Sequence, residues 1–447
     1  MIFSAPRFIV VDDNVKHLEA ITQTFQGMGA PCLGLLYDGS AALDPGYFRG
    51  VRCLFMDLHL VDGVASSDHR RHFANIAAIL EDTISATGGP FVLVVWTAHP
   101  ELQTQLREYL DEKIDDAHSH ARPLALLGLS KEQFIDLTGG EIRSAKELKE
   151  AVHRVIVANP QIAALLGWES DVLGAAADTL AELLKLVPMA DRLSTKYSGA
   201  LDVVLSRLAR EAVGRPNVEV DRRTAIASAL SPILADRILN QAISAETTEL
   251  WRTAVTRHDD PTLANASKQE AGAINRMLHI ALPSSEAISA TSWGAVVQLE
   301  NEIWLSDERL SEIFDVSRAQ LLGDEFKVKP EDFDKCHPRL IRVGAACDHA
   351  QKRRGPLTYL LGLEMPHGLK RKNKPSDAEW SSPVISLTSG GDPFVLHVNV
   401  RFAMTCRSGA LGAASVKYRL REQLLMSLLT HANGYTSRPG IIQLPAD

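Results

Sequence analysis

The chain has 447 residues, 45% of them hydrophobic and 23% charged, with a formal net charge of −8. That length calls for about two to four domains with sizeable cores, and the composition is that of an ordinary globular protein rather than a disordered or fibrous one. The acidic balance argues against a polyanion-binding surface, and no apolar stretch approaches the roughly 20 residues needed to cross a bilayer, so no membrane span is expected.

In chain order, Met1 to Arg7 lacks the charged and long apolar regions of a signal peptide, which predicts a cytoplasmic location. Phe8-Ile9-Val10-Val11-Asp12-Asp13-Asn14 is an apolar run ending in two acids. Tyr37-Asp38-Gly39-Ser40-Ala41-Ala42-Leu43 reads as a strand leaving through an Asp-Gly turn into a helix. Val51 to Asp57 is a second apolar run ending in an acid. Asp68 to Pro90 is long and polar for one helix plus a loop and predicts an extended excursion. Phe91 to Thr97 ends in a hydroxyl, and Leu124 to Lys131 ends in an amine. Ser144-Ala145-Lys146-Glu147 has the form of a capping box opening a helix through Val155. Short apolar runs with polar C-termini are the pattern of buried parallel strands, and such sheets bind ligands beyond their carboxyl ends.

Taken alone, Asp12 and Asp13 fit a turn or a helix N-cap, and Lys131 a solvated amine. Together with Asp57 and Thr97, each after its own apolar run, they fit one site. This order of Asp-Asp, Asp, Thr and Lys resembles the receiver domain of two-component response regulators, over about the first third of the chain. The resemblance implies a doubly wound five-stranded parallel sheet with Asp57 as phosphoacceptor. It also implies Mg2+ held by Asp12, Asp13, Asp57 and the backbone carbonyl of His59, with Thr97 and Lys131 meeting the phosphoryl oxygens. The chemistry accounts for those residue types: three adjacent carboxylates repel, a cation keeps them ionised, and Asp57 is then a nucleophile beside fixed positive charge.

The chain departs from the receiver pattern at several places. The segment Asp57-Leu58-His59-Leu60-Val61-Asp62-Gly63 lacks the usual proline step. Leu129 stands where a switch aromatic is common, and Glu132 where a proline follows the lysine. Phosphoryl chemistry is therefore expected without the usual route of output. His59 and His99, two residues beyond the acceptor and the hydroxyl, are placed to reach the mouth of the site and influence water attack on an acyl phosphate; exposed loop histidines are the plainer reading.

Asn159-Pro160 marks a boundary, because the residue before proline is pushed out of helical geometry. From Gln161 to about Ala281 apolar residues recur at helical spacing: Leu173, Ala176, Leu180, Leu183 and Leu184; Leu201, Val204, Leu205, Leu208 and Val213; Ile226, Leu230, Ile233, Leu234 and Ile238. Helices packed on one another are expected, with a dimerisation or kinase-docking bundle as the alternative. From about Thr291, Leu340–Ala346, Leu357–Leu363, Val384–Leu387 and Phe394–Val400 have strand composition, and Ser415 to Leu429 reads as a helix. The expected layout is thus a receiver domain over 1–157, a helical domain over 158–290, and a β-rich domain over 291–447 forming a small bent sheet or barrel with a terminal helix.

The five cysteines, Cys32, Cys53, Cys336, Cys347 and Cys406, are odd in number and scattered, which predicts free thiols. Cys336-His337 and Cys347-Asp348-His349 do not have the spacing of a standard zinc motif. Lys352-Arg353-Arg354 and Lys370-Arg371-Lys372-Asn373-Lys374 are the only concentrated basic stretches and read as solvated loops, so nucleic acid is not an expected partner.

The functional expectation is a phosphoacceptor served by a sensor histidine kinase, acting as a phosphate sink that draws on the same pool as a second response regulator. The layout of a receiver followed by a long unassigned remainder resembles the phosphate-buffer receiver proteins of Detocs-type anti-phage relays. The alternative is a regulator whose phosphorylation exposes a protein- or nucleic-acid-binding surface in the C-terminal domain, and a homodimer is compatible with either.

Overall fold

A computed structural model describes residues 6–27, 31–39, 42–60, 68–134, 144–299, 306–351, 353, 355–411 and 414–438. Contacts divide the chain into two units, Met1–Gly174 with Gln241–His258, and Ala175–Asn240 with Asp259–Asp447.

The first unit is built on β1 (Phe8–Asp12), α1 (Val15–Gly27), β2 (Leu33–Leu36), α2 (Pro45–Phe48), β3 (Cys53–Asp57), α3 (His69–Thr83), β4 (Val92–Thr97), α4 (Gln103–Lys113), β5 (Ala125–Ser130), α5 (Lys131–Phe134) and α6 (Ala145–Val157). The strands are all parallel, in the order β2-β1-β3-β4-β5, which is a receiver-like arrangement. Every residue of β3 and β4 is buried, as expected of apolar strands covered on both faces. Alternation sorts their side chains into two cores: Ile9, Val11, Leu54, Met56, Leu93 and Val95 on one face, Val10, Phe55, Val92, Val94 and Trp96 on the other.

Local signals explain several boundaries. Asp38-Gly39 turns with Gly39 at φ +72°, a conformation that favours glycine, while Ser40 and Ala41 lie outside the described residues. The Ser144 hydroxyl accepts from the Glu147 N–H at 3.3 Å and opens α6. The extended excursion expected between Asp68 and Pro90 is not there. Asp68 caps a single 15-residue helix, α3, and a short loop reaches β4; the buried face of Phe73, Ile76, Ile79 and Leu80 pays for a helix whose other side is polar.

Next come α7 (Pro160–Lys185), α8 (Tyr197–Val213), α9 (Arg215–Val218), α10 (Arg222–Asn240), α11 (Ala245–Ala254) and α12 (Lys268–His279). Pro160 begins α7, so the chain breaks where the proline required it. In the first unit Glu169 takes a two-pronged grip from Arg52, at 2.8 and 2.9 Å, and an ion pair from Arg7 at 2.6 Å. This ties α7 to the N-terminal ends of β1 and β3.

Of the face expected on α7, Leu183 is buried and Leu184 half-buried, whereas Leu173, Ala176 and Leu180 are exposed; Ala175 and Thr179 are buried as well. The predicted face of α8 is mostly half-buried, and the small cluster of Ala209, Val213 and Ala225 joins α8 to α10.

The rest of the second unit is a curled antiparallel sheet of β6 (Ile280–Ala281), β7 (Ala295–Gln298), β8 (His337–Val343), β9 (Leu357–Pro366), β10 (Glu379–Ser381), β11 (Phe394–Cys406) and β12 (Val416–Leu420), ordered β10-β11-β9-β8-β7-β12-β6. Among the described residues it has two ends and so is a bent sheet, not a closed barrel. The register shift between Val398 and Ala403 in β11 marks one bend. One face packs Leu340, Tyr359, Leu361 and Phe402, the other Ile341, Leu360, Trp380 and Val398 with the helix Glu422–Thr436.

Three expectations need correction here. Ser415 to Leu429 is not one helix, since β12 occupies its start. Val384–Leu387 contributes only an isolated bridge from Ile385 to Phe394. Arg371 is not a solvated loop residue: it bonds both Glu379 oxygens at 2.7 and 2.9 Å with its side chain only 14% exposed. Lys352 and Arg354 of the other basic stretch, and the terminal Ile441-Ile442, lie outside the described residues. Among the described residues no helix is long and apolar enough to cross a membrane.

Candidate acidic metal and acceptor site

Parallel pairing brings four strand ends to one level. Val11 pairs with Met56, Asp57 with Trp96, and Thr97 with Ser130, so the polar residue closing each run arrives at the same edge of the sheet. Asp12 and Thr97 are 0% and 1% exposed, Asp57 6% and Lys131 5%. Asp13 is only half-buried and opens the group to solvent. Carboxylate oxygens of Asp12, Asp13 and Asp57 lie within 4.8 Å of one another, the one such cluster of acids, histidines or cysteines among the described residues. The Cys336/His337 and Cys347/His349 pairs form no comparable set, and all five cysteines are free.

The turn and N-cap roles that Asp12 and Asp13 could have filled alone are shared differently. Asn14 Oδ1 accepts from the N–H groups of Lys16 and His17 and caps α1, while Asp12 Oδ1 accepts the Asn14 N–H at 2.9 Å. Asp12 keeps its second oxygen for Lys131, whose Nζ donates to Asp12 Oδ2 at 2.9 Å and to Asp57 Oδ2 at 2.6 Å. Asp57 Oδ1 accepts the His59 N–H at 3.2 Å, so the chain turns tightly beside the carboxylate.

Thr97 reaches the same edge, but its hydroxyl accepts the His99 N–H at 3.1 Å and has no hydrogen bond to the acids or Lys131. The structure therefore joins Asp12, Asp13, Asp57 and Lys131 directly and sets Thr97 alongside. Val61, Asp62 and Gly63 lie outside the described residues.

Three acids and one amine leave an excess of negative charge. Burial raises the Asp12 carboxyl, and repulsion from Asp57 adds to it against the pull of Lys131. Asp13 is pushed up to about 6 by burial and then by the charges of Asp57 and Asp12. Burial works against a charged Lys131, yet the charges of Asp57 and Asp12 outweigh it and hold the ammonium above its ordinary value. A divalent cation with a preference for oxygen fits this donor set, since it would neutralise the surplus that Lys131 leaves.

Around this centre stand residues with no motif to announce them. His17 Nδ1 lies 4.0 Å from Asp12 Oδ1, and His72 of α3 packs against the His59 ring at 4.5 Å. Leu129, at the position of the absent switch aromatic, is buried.

Compared with protein-family models, curated proteins and solved structures, the chain matches none of them.

Proposed function

We propose that the chain is a two-component signalling protein that accepts a phosphoryl group on Asp57 from the phosphohistidine of a sensor histidine kinase. The observation that carries this reading is the buried meeting of Asp12, Asp13, Asp57 and Lys131 at the carboxyl edge of a parallel sheet. An Asp57 oxygen attacks phosphorus, the bond from phosphorus to the donor imidazole nitrogen breaks, and an acyl phosphate remains. Lys131, already on Asp57, moves to the added negative charge, and the Thr97 hydroxyl donates to a phosphoryl oxygen. Mg2+, held by Asp12, Asp13, Asp57 and the His59 carbonyl, supplies neutralising charge at the phosphoryl oxygens when bound.

We assign the phosphorylated form the role of a cytoplasmic sink, drawing phosphate from a second response regulator in a relay of the anti-phage type. Leu129 in place of the switch aromatic supports a site that takes phosphate without the common output step. The alternative is a phosphorylation-switched regulator binding protein or nucleic acid through the C-terminal sheet, which a pure sink would not need.

Incubation of the full chain with acetyl phosphate and Mg2+ should give one acyl phosphate by intact mass, absent in Asp57→Ala and in EDTA. An unmodified wild-type chain, or label that survives Asp57→Ala, overturns the acceptor reading. Co-expressed with an effector receiver and its kinase, the wild type should lower the effector's phosphorylated fraction and Asp57→Ala should not. A change of oligomeric state or ligand affinity on phosphorylation, with no effect on the effector, favours the regulator.

A further inference from the structure

Three histidines beside the acidic pocket are in ring contact with one another, an arrangement that accepting a phosphoryl group does not require. The His59 ring meets His72 with centroids 4.5 Å apart at 71°, and His99 with centroids 5.6 Å apart at 69°. His72 is 2% exposed and neither of its ring nitrogens has a partner among the described residues. His59 Nε2 and His69 Nδ1 are likewise buried without one. An unmatched buried polar group is costly, so a plain packing role would be better filled by an apolar side chain.

His99 differs from these. Its Nδ1 bonds Glu101 Oε1 at 3.1 Å, the carboxylate–imidazole pairing that fixes a ring and leaves Nε2 as the ligating atom. Spacing points the same way. With metal–nitrogen bonds of ~2.0–2.1 Å and a nitrogen about 1.2 Å from its ring centre, two imidazoles on a tetrahedral ion have centres roughly 5 Å apart. The two separations found lie on either side of that value.

We propose that His59, His72 and His99 form a site for a nitrogen-preferring divalent transition metal, Zn2+ being the type, with Glu101 orienting His99 and water as fourth ligand. The three donor nitrogens are not all within 4.8 Å of one another as the acid oxygens are, and the His99 side chain, 45% exposed, closes the set by a rotation in which the Glu101 side chain, 67% exposed, turns with it and keeps the Nδ1 bond. The site is separate from the acidic one in chemistry, imidazole against carboxylate. It is joined to it in space, because His59 gives its ring to one and its N–H to Asp57.

Titration of the chelator-stripped full chain with Co2+ tests the site, since a tetrahedral imidazole site gives strong visible bands that Zn2+ abolishes at one equivalent. His99→Gln and His72→Leu should each weaken Zn2+ binding roughly tenfold or more, whereas His118→Gln, at an exposed histidine elsewhere, should leave it unchanged. His99→Gln lies on an exposed side chain and keeps the test valid should His72→Leu fail to fold. An octahedral Co2+ spectrum, or Zn2+ affinity indifferent to His99→Gln, overturns the proposal; so does loss of binding in Asp12→Asn, which would place the ion among the carboxylates. Phosphorylation by acetyl phosphate is read separately, so each proposal can fail alone.

Discussion

Replacing Lys131 by methionine keeps length and volume but removes its ammonium from among three carboxylates. The side chain is 6% exposed, between Asp12 at 1% and Asp57 at 8%. Removing one partner of a buried charge pair typically costs about 3–5 kcal/mol, because the other charge stays buried and unpaired. The full effect is present at neutral pH: Lys131 is held above its ordinary 10.5 and gives up its proton only in more alkaline solution. Mg2+ should narrow the deficit, since the ammonium holds the same oxygens and repels the dication. If its loss tightens Mg2+ binding tenfold, the gap closes by about 1.4 kcal/mol. Hydrogen exchange of peptides covering β1 and β3, in EDTA and in Mg2+, reads both numbers. A deficit below about 1 kcal/mol in EDTA, or one that Mg2+ leaves unchanged, would refute the picture of Lys131 as the counter-ion of the pocket.

Mg2+ affinity should fall on acidification below about 6, where Asp13 takes up a proton in competition with the metal, and calorimetric titration across that pH checks it. Cation-free protein should gain stability from this same group as pH drops from about 6 towards 3.8, because there the folded carboxyl is protonated and the unfolded one is not. Glu169, pulled down to about 2 by the hydrogen bonds from Arg52 and Arg7, stabilises the first unit above its ordinary 4.5 and loses that effect as pH falls towards 2. Glu169→Gln should therefore cost about 1–2 kcal/mol in urea unfolding at neutral pH and progressively less in acid. In the second unit Arg339 and Glu364 form an ion pair with side chains 6% and 7% exposed; Arg339→Met alone should destabilise by about 3–5 kcal/mol, and adding Glu364→Leu should recover most of it.

The N-terminal sheet and its acids were legible in the chain because the strands are largely apolar and each candidate site residue ends one or directly follows it. What was illegible has identifiable causes. In Ser415–Leu429 the alternation of Val416, Tyr418 and Leu420 runs straight into the helical spacing of Leu424, Leu425 and Leu428, so two periods look like one. On α7 the expected Leu183 is buried, but beside it stand Ala175 and Thr179, which hydropathy ranks below the exposed Leu173 and Leu180. Arg371 lies in a basic run whose composition says surface, but its partners Glu379 and His397 come from other strands. The companions of His59 are hidden for the same reason: His72 and His99 stand on different elements, and no fixed spacing records that the fold stacks them.

The pairing of Val11 with Met56 and of Asp57 with Trp96 has a bearing on quality control. A slip of β3 by a single residue would turn every side chain on that strand to the opposite side of the sheet and carry Asp57 away from Asp12 and Lys131. The proposed chemistry at this pocket would therefore be confined to correctly aligned molecules. A population sorted by its ability to react there would be purged of misthreaded copies without any separate inspection.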